Sequence, residues 1–234
     1  MLTVLNPLNR DQPFPDISEA LDEPNGLLAV GGCLSPVRLE NAYRHGIFPW
    51  FGEGEPILWW SPDPRMILLP AELRVSRSLR KCLRNGGFSY SFDEAFEPVL
   101  EACAAPRSDT NGTWITREIR DAYREFHRLG YAHSFECWHG GQLAGGLYGV
   151  GIGRVFYGES MFHRVSNASK AALVFAVESL QRWGYELIDC QLHTSHLESL
   201  GAREIPRKEF IRLLRSHCNR PVSPDAWRRE GAPA

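Results

Sequence analysis

The sequence predicts an α/β (α+β) protein in which a small, loop-rich N-terminal domain precedes a larger domain of strands and helices. Three observations predict it. Residues 140–191 read as a hairpin, a helix and a further strand. From about residue 90 onward the pattern runs helix, helix, strand, strand, strand, helix, strand. Before residue 70, short apolar segments alternate with prolines, glycines and clustered aromatics, the composition of loops around a modest core. The boundaries that follow are 1–70 for the N-terminal domain, 71–90 for a basic helix and connection, 91–218 for the larger domain and 219–234 for a loosely ordered tail.

In chain order, 27–30 is a short apolar strand ended by Gly31-Gly32. Ser35-Pro36 starts a helix, a capping hydroxyl followed by proline at the first helical position, and Gly46 closes it. Aromatic and proline-rich loops follow, Gly46-Ile47-Phe48-Pro49-Trp50 and Trp59-Trp60-Ser61-Pro62-Asp63-Pro64-Arg65, either an aromatic mini-core or an apolar ligand wall. Over 75–85, Val75, Leu79, Cys82 and Leu83 mark one helical face, and Arg77, Arg80, Lys81 and Arg84 mark the other. A helix is expected over 91–104, and an amphipathic one after Thr116, with Ile119, Tyr123 and Phe126 inward and Gly130 at its end. Residues 132–138 form a strand paired with 142–148 across the Gly140-Gly141 turn. Residues 154–162 form the next strand, interrupted, like its neighbour, by glycines that let something approach the backbone. A helix starts at Ser166-Asn167-Ala168-Ser169-Lys170 and stops at Gly184, and 185–190 is a short buried strand, making a right-handed βαβ unit. A turn at 197–200 and a last helix over 206–215 complete the chain.

Lys and Arg number 26 against 28 Asp and Glu, a net charge of −2, so any polyanion site must be local. The basic face over 77–84 is such a place, because no acidic residue occurs between Arg74 and Phe92. No apolar run approaches the ~20 residues that span a bilayer, and no charged start with an apolar stretch opens the chain, so a cytoplasmic protein with no membrane partner is expected. The six cysteines stand apart in the sequence, giving no zinc knuckle and no redox pair; reduced thiols and no metal are expected. Asp189 and Gln191 end a buried strand, where open α/β sheets bind ligands.

The glycine-punctuated strand feeding a helix resembles the GNAT acyltransferase fold. More specifically, Asn25-Gly26-Leu27-Leu28-Ala29-Val30-Gly31-Gly32, the two aromatic motifs above, Gly112-Thr113-Trp114-Ile115-Thr116, Gly158-Glu159-Ser160-Met161-Phe162, Asn167-Ala168-Ser169-Lys170 and Ile188-Asp189-Cys190-Gln191 together resemble the leucyl/phenylalanyl-tRNA-protein transferase family, over roughly residues 14–215. The resemblance implies a GNAT-like catalytic domain and an activity that moves Leu, also Phe and less so Met, from leucyl-tRNA or phenylalanyl-tRNA to the α-amino group of proteins beginning with Arg or Lys, creating a degradation signal. It implies that Asp189 and Gln191 are catalytic. It implies that Trp50, Trp114, Leu147, Phe156, Met161, Leu180 and Ile188 line the donor pocket. From the residues themselves, Glu159 beside Gly158 can take the terminal ribose or the cationic acceptor, and the helix start at Asn167 and Ser169 can accept an oxyanion or phosphate, so Gly158, Glu159, Asn167 and Ser169 are expected to serve the terminal adenosine or the acceptor amine. The basic face of Arg77, Arg80, Lys81 and Arg84 is then the expected tRNA grip. The aminoacyl-tRNA is itself the donor, so no cofactor is expected, and a monomer is expected.

The chemistry is undemanding. The donor is an activated ester, and with an α-amino pKa near ~8 about a tenth of the nucleophile is already neutral at pH 7. Positioning can therefore supply most of the acceleration. An amide such as Gln191 holds groups by hydrogen bonds and accepts protons poorly; a carboxylate such as Asp189 can receive one. Two rival readings are an acetyl-CoA-dependent N-acetyltransferase, with Gly149-Val150-Gly151-Ile152-Gly153-Arg154 as its pyrophosphate loop, and a non-catalytic tRNA-binding module.

Overall fold

The computed structural model describes residues 2–106 and 113–228 and builds two sheets. Gly112 and the loop at 107–111 lie outside the described residues. The chain begins with β1 (Thr3–Leu5), β2 (Leu27–Gly31), α1 (Pro36–Arg44), β3 (Phe48–Pro49) and β4 (Leu58–Trp60), whose strands form a sheet of order β1-β2-β4-β3. Helix α1 starts as its sequence demands: the Ser35 hydroxyl accepts from the Arg38 amide, and Pro36 needs no amide partner. It ends before Gly46, whose φ of 74° suits glycine.

Next come β5 (Arg65–Leu68), α2 (Arg77–Asn85), β6 (Phe88–Phe92), α3 (Phe96–Ala104), α4 (Arg117–Arg128), β7 (Ala132–His139), β8 (Gln142–Ile152), β9 (Val155–His163), α5 (Ala168–Arg182), β10 (Leu187–Gln191), α6 (Ser195–Ser199), β11 (Arg203–Ile205) and α7 (Arg207–His217). The second sheet has seven strands in the order β11-β5-β10-β9-β8-β7-β6. The expected β9-α5-β10 unit is present, with β9 and β10 parallel, beside the antiparallel run β7-β8-β9. The mixed α/β architecture anticipated from the sequence, with a smaller N-terminal sheet before the larger one, is the one observed.

Strand β5 pairs with β10 and β11, so the chain enters the large sheet before residue 70. The two sheets share one apolar core, in which Tyr43 and Trp59 join Tyr148, Tyr157 and Phe210. A second cluster lies under α5 and holds Leu147, Phe156, Leu173, Val177, Leu180 and Ile188.

Three expectations need correction. The helix anticipated over 91–104 begins only at Phe96, because Phe88–Phe92 is an edge strand that alternates apolar and polar residues and ends at Asp93, whose φ is 53°. The turn at 197–200 is one turn of helix, α6, capped by the Thr194 side chain. The tail expected to be loose is anchored at Trp227, whose ring stacks on His133 at 3.7 Å and donates to the Tyr185 hydroxyl at 2.9 Å. Residues 229–234 lie outside the described residues.

Candidate active site

Strands β9 and β10 pair only through Leu187–Val155, Ile188–Phe156 and Asp189–Tyr157. Beyond Tyr157, β9 continues along β8 alone, while β10 breaks register between Asp189 and Gln191. The strands part, and a cavity of about 460 Å³ fills the gap. All seven residues expected in the donor pocket line it: Trp50, Trp114, Leu147, Phe156, Met161, Leu180 and Ile188. Phe48 and Pro49 add a wall from the smaller sheet, which explains why the aromatic loops recur in the sequence. Trp50 is 41% exposed and stands at the surface, its ring edge-on to Trp60, whose indole N–H donates to the Trp50 carbonyl at 2.7 Å.

The apolar cavity has a polar end. Gly158, Glu159 and Gln191 line it. Gln191 has a φ of 63°, uncommon for a residue with a side chain. Its backbone N–H donates to Asp189 Oδ1 at 2.9 Å, and its Nε2 donates to Glu159 Oε1 at 3.0 Å. An ionised carboxylate only accepts, so with Glu159 ionised the amide presents its NH2 there and its carbonyl oxygen remains for a ligand. Glu159 also accepts from the Tyr123 hydroxyl at 3.1 Å, and Tyr123 is hydrogen-bonded to Tyr43. Burial is the main reason its carboxyl is pushed up to about 7; the charge of Asp189 adds to this, and the tyrosine hydrogen bonds and Arg65 oppose it. The Tyr43 and Tyr123 phenols are raised far above the ordinary range, first by burial and then by the charge of Glu159.

Asp189 stands elsewhere than its sequence position suggests. It is fully buried and does not line the cavity. Its Oδ1 accepts from Arg65 Nε at 2.8 Å and its Oδ2 from Arg65 Nη2 at 2.6 Å, a bidentate pair. The Arg65 guanidinium is itself buried between the Phe48 and Phe210 rings, at 4.8 and 4.7 Å. Asp189 therefore holds Gln191 from behind the strand end, without facing the cavity itself.

Asn167 and Ser169 are not among the residues lining the cavity that Glu159 lines. The N-terminus of α5 packs against β8, where Gly145 lacks the Cβ that would meet Ala168 at 2.8 Å, while later residues of α5, Leu173, Ala176, Val177 and Leu180, line the cavity. Asn167 lines a separate cavity of about 260 Å³ with Arg74, Ser76, Ser78 and Lys170. Arg77, Arg80, Lys81 and Arg84 are all exposed on α2, and no ion pair holds any of them among the described residues. Gly149 and Gly151 lie within β8, and Gly153 turns into β9, so the glycine run is a strand pairing and not a loop at a helix start.

Sequence reasoning missed Arg65 as the partner of Asp189 and missed Tyr43 and Tyr123. The separations of 124 residues between Arg65 and Asp189 and of 80 between the two tyrosines leave no periodicity to read. The one signal was an arginine closing a proline-rich motif, and its nearest acid, Asp63, binds the Arg207 amide instead.

The family described as leucyl/phenylalanyl-tRNA protein transferase matches residues 67–215, and its N-terminal domain matches residues 32–63. A leucyl/phenylalanyl-tRNA--protein transferase of Methylococcus capsulatus is 60% identical over 97% of this chain and 97% of its own length. One of Nitrosospira multiformis is 59% identical over 94% of this chain and 95% of its own length. Among solved structures, a GCN5-related N-acetyltransferase from Kribbella flavida aligns over 70% of this chain and 58% of its own at 13% identity, with a TM-score of 0.38.

Proposed function

The chain belongs to the leucyl/phenylalanyl-tRNA-protein transferase family, and on that premise we propose that it moves Leu, and also Phe, from the charged tRNA to the α-amino group of proteins beginning with Arg or Lys. It is an aminoacyltransferase: aminoacyl-tRNA is the donor and a protein is the acceptor. The observation that carries the finer reading is the 460 Å³ apolar cavity closed at one end by Gln191 and Glu159. A branched or aromatic side chain fits an apolar wall, and its ester then lies at the polar end. The reaction is attack of the neutral amine on the ester carbonyl: the C–N bond forms, the ester C–O bond breaks, and the proton the amine gives up is matched by one taken by the leaving ribose oxygen, which departs as its hydroxyl.

In this reading Gln191 holds the reacting groups by its amide. Glu159 orients that amide and offers negative charge to the amine. Asp189 and Arg65 fix the backbone of Gln191. The ester is activated before it arrives, so the reaction calls for no cofactor. A cytoplasmic monomer acting where charged tRNA is abundant fits this reading. The test is transfer of labelled Leu from leucyl-tRNA to a peptide beginning with Arg, beside one beginning with Ala. Equal labelling of both, or of neither, overturns it.

Two further expectations follow from the same reading. Met161→Ala enlarges the cavity, and should lower the transfer of Leu more than that of Phe; separations of about tenfold are typical of a methylene-scale change in an apolar pocket. Competition between leucyl- and phenylalanyl-tRNA measures it, and an unmoved ratio removes Met161 from donor choice. Changing Arg77, Arg80, Lys81 and Arg84 together to Ala should weaken binding of full-length tRNA at low salt. It should also flatten the plot of log affinity against log salt by roughly one counterion for each phosphate no longer neutralised. A donor consisting only of aminoacyl-adenosine should be spared, because it is too short to reach α2. An unchanged salt slope would make the face a merely solvated one.

A further inference from the structure

Trp227 has no place in the reaction just described, yet it is built into the structure. The side chain sits inside a ring of aromatics. His133 covers one face of the indole, parallel at 4° and 3.7 Å. Trp183 lies 4.6 Å away and Phe135 5.2 Å away. The indole N–H is used, donating to Tyr185. His133 is held in turn by Asp93 Oδ2 at 2.7 Å and by the Gly130 carbonyl at 3.1 Å. Those bonds occupy both of its ring nitrogens, so Asp93 and the Gly130 carbonyl hold His133 in place against the indole.

The decisive contact is with Phe156. Trp227 lies 6.2 Å from that ring, inclined by 29°, and Phe156 is 1% exposed and lines the apolar cavity. Phe156 is bounded on its other sides. A Cβ at Gly149 would come 2.6 Å from its ζ carbon, so the ring lies on bare backbone there. Phe135 stands 5.9 Å away and Tyr185 6.3 Å away. Trp227 is the component of this enclosure that comes from the last residues of the chain, outside the large sheet and its helices.

We infer that Trp227 is a positioning residue that sets the depth of the donor pocket through Phe156, so that the C-terminal segment takes part in choosing the transferred amino acid. The inference rests on the proposed identity of the cavity as the donor pocket. The physical reason is packing. An interior filled to crystal-like density passes displacement from one ring to the next, and truncating a large ring leaves a void into which its neighbours partly relax. With the indole gone, Phe156 recedes and the pocket gains room at its apolar Phe156 wall.

The experiment compares Trp227→Ala, Trp227→Leu and Trp227→Phe with the parent chain, using leucyl- and phenylalanyl-adenosine donors and full-length charged tRNAs. Trp227→Ala is expected to raise the ratio of kcat/KM for Phe over Leu by about fivefold to tenfold, near the lower end of what a methylene-scale change gives. The change should appear in the KM for the short donors, with kcat within about twofold. Trp227→Leu should give a smaller change in the same direction, and Trp227→Phe should restore the parent ratio. Affinity for uncharged tRNA should not move. A purely structural role would lower activity toward both donors alike and leave their ratio where it was, and that result overturns the inference. If Trp227→Ala does not fold, an unmoved ratio in Trp227→Leu overturns it equally. Met161→Ala is the control. If that variant shifts the ratio and the Trp227 variants do not, the pocket stands and Trp227 is irrelevant to it. If none of them shifts it, the donor-pocket reading has failed.

Discussion

Asp189→Ala is expected to lower transfer by orders of magnitude and to destabilise the fold, while leaving the affinity for charged tRNA within a few fold. Both effects have one origin. The carboxylate takes both hydrogen bonds from Arg65 and one from the Gln191 backbone. Removing it leaves a guanidinium that is 1% exposed without its counter-charge. Breaking a buried ion pair from one side costs about 3–5 kcal/mol. It also frees Gln191 from its left-handed backbone conformation, which the Asp189 contact helps to hold. The two effects can be separated by changing both partners. Arg65→Met with Asp189→Leu replaces the pair by apolar groups and should recover much of the thermal stability, since such replacements are often neutral. Transfer should remain abolished, because nothing then holds Gln191. Thermal denaturation and single-turnover transfer on the same samples decide the matter. If the double variant is active, Asp189 has only a structural part; if Asp189→Ala itself is active, neither role stands.

The second large effect concerns pH. Glu159 is raised to about 7 in the folded chain from an ordinary value of 4.5. A carboxyl raised in this way adds stability in full below the unfolded value, and that contribution is lost as pH rises through the folded value. The ionised form is therefore carried at a cost above pH 7, of the order of 3 kcal/mol at about 1.4 kcal/mol per unit. Glu159→Gln should then be relatively more stable than the parent at pH 8 than at pH 4, with the difference growing between about pH 4.5 and 7. Activity should move the other way. The ionised carboxylate is the form that accepts from both Gln191 and Tyr123, so the parent's transfer rate should rise through pH 7 before the amine of the acceptor, near pKa ~8, adds its own rise. Glu159→Gln should lose the lower of the two steps and fall by about a hundredfold or more at pH 8, the scale on which proton-handling groups act. A pH-rate profile that keeps its lower step in the variant would assign that step to another group.

Gln191 and Glu159 can be singled out from the chain, since one ends a buried strand and the other follows a glycine within a strand. The seven pocket residues follow from the family resemblance, and they do meet in one cavity. The basic face of α2 is readable because helical spacing is a local property, and four cations with no acid among them stand out at that spacing. The helices α1 and α4 are readable for the same reason: capping residues, apolar period and closing glycines lie close together; α5 is readable from its apolar period and closing Gly184, its Asn167 making no capping hydrogen bond.

What stays hidden depends on residues far apart in the chain. Strands β1, β3, β4, β5 and β11 are two to four residues long, too short for any period, and exist because a neighbouring strand completes their hydrogen bonds. Asn167 and Ser169 group with Glu159 in the sequence because a helix start is a natural anion site; only the packing of Ala168 on Gly145 shows that this start faces α2. Trp227 reads as part of a loose tail because proline, arginine and alanine dominate its surroundings, and its indole finds partners only in strands and a helix already folded. The fold class, the βαβ unit and the basic helix were legible in the chain alone, since local spacing carries them, and the family resemblance added the residues that meet in the cavity. The tertiary structure alone decided that Asp189 faces Arg65 and that Trp227 backs Phe156, because a bidentate ion pair and an aromatic stack are made by side chains that meet only after the sheets have packed.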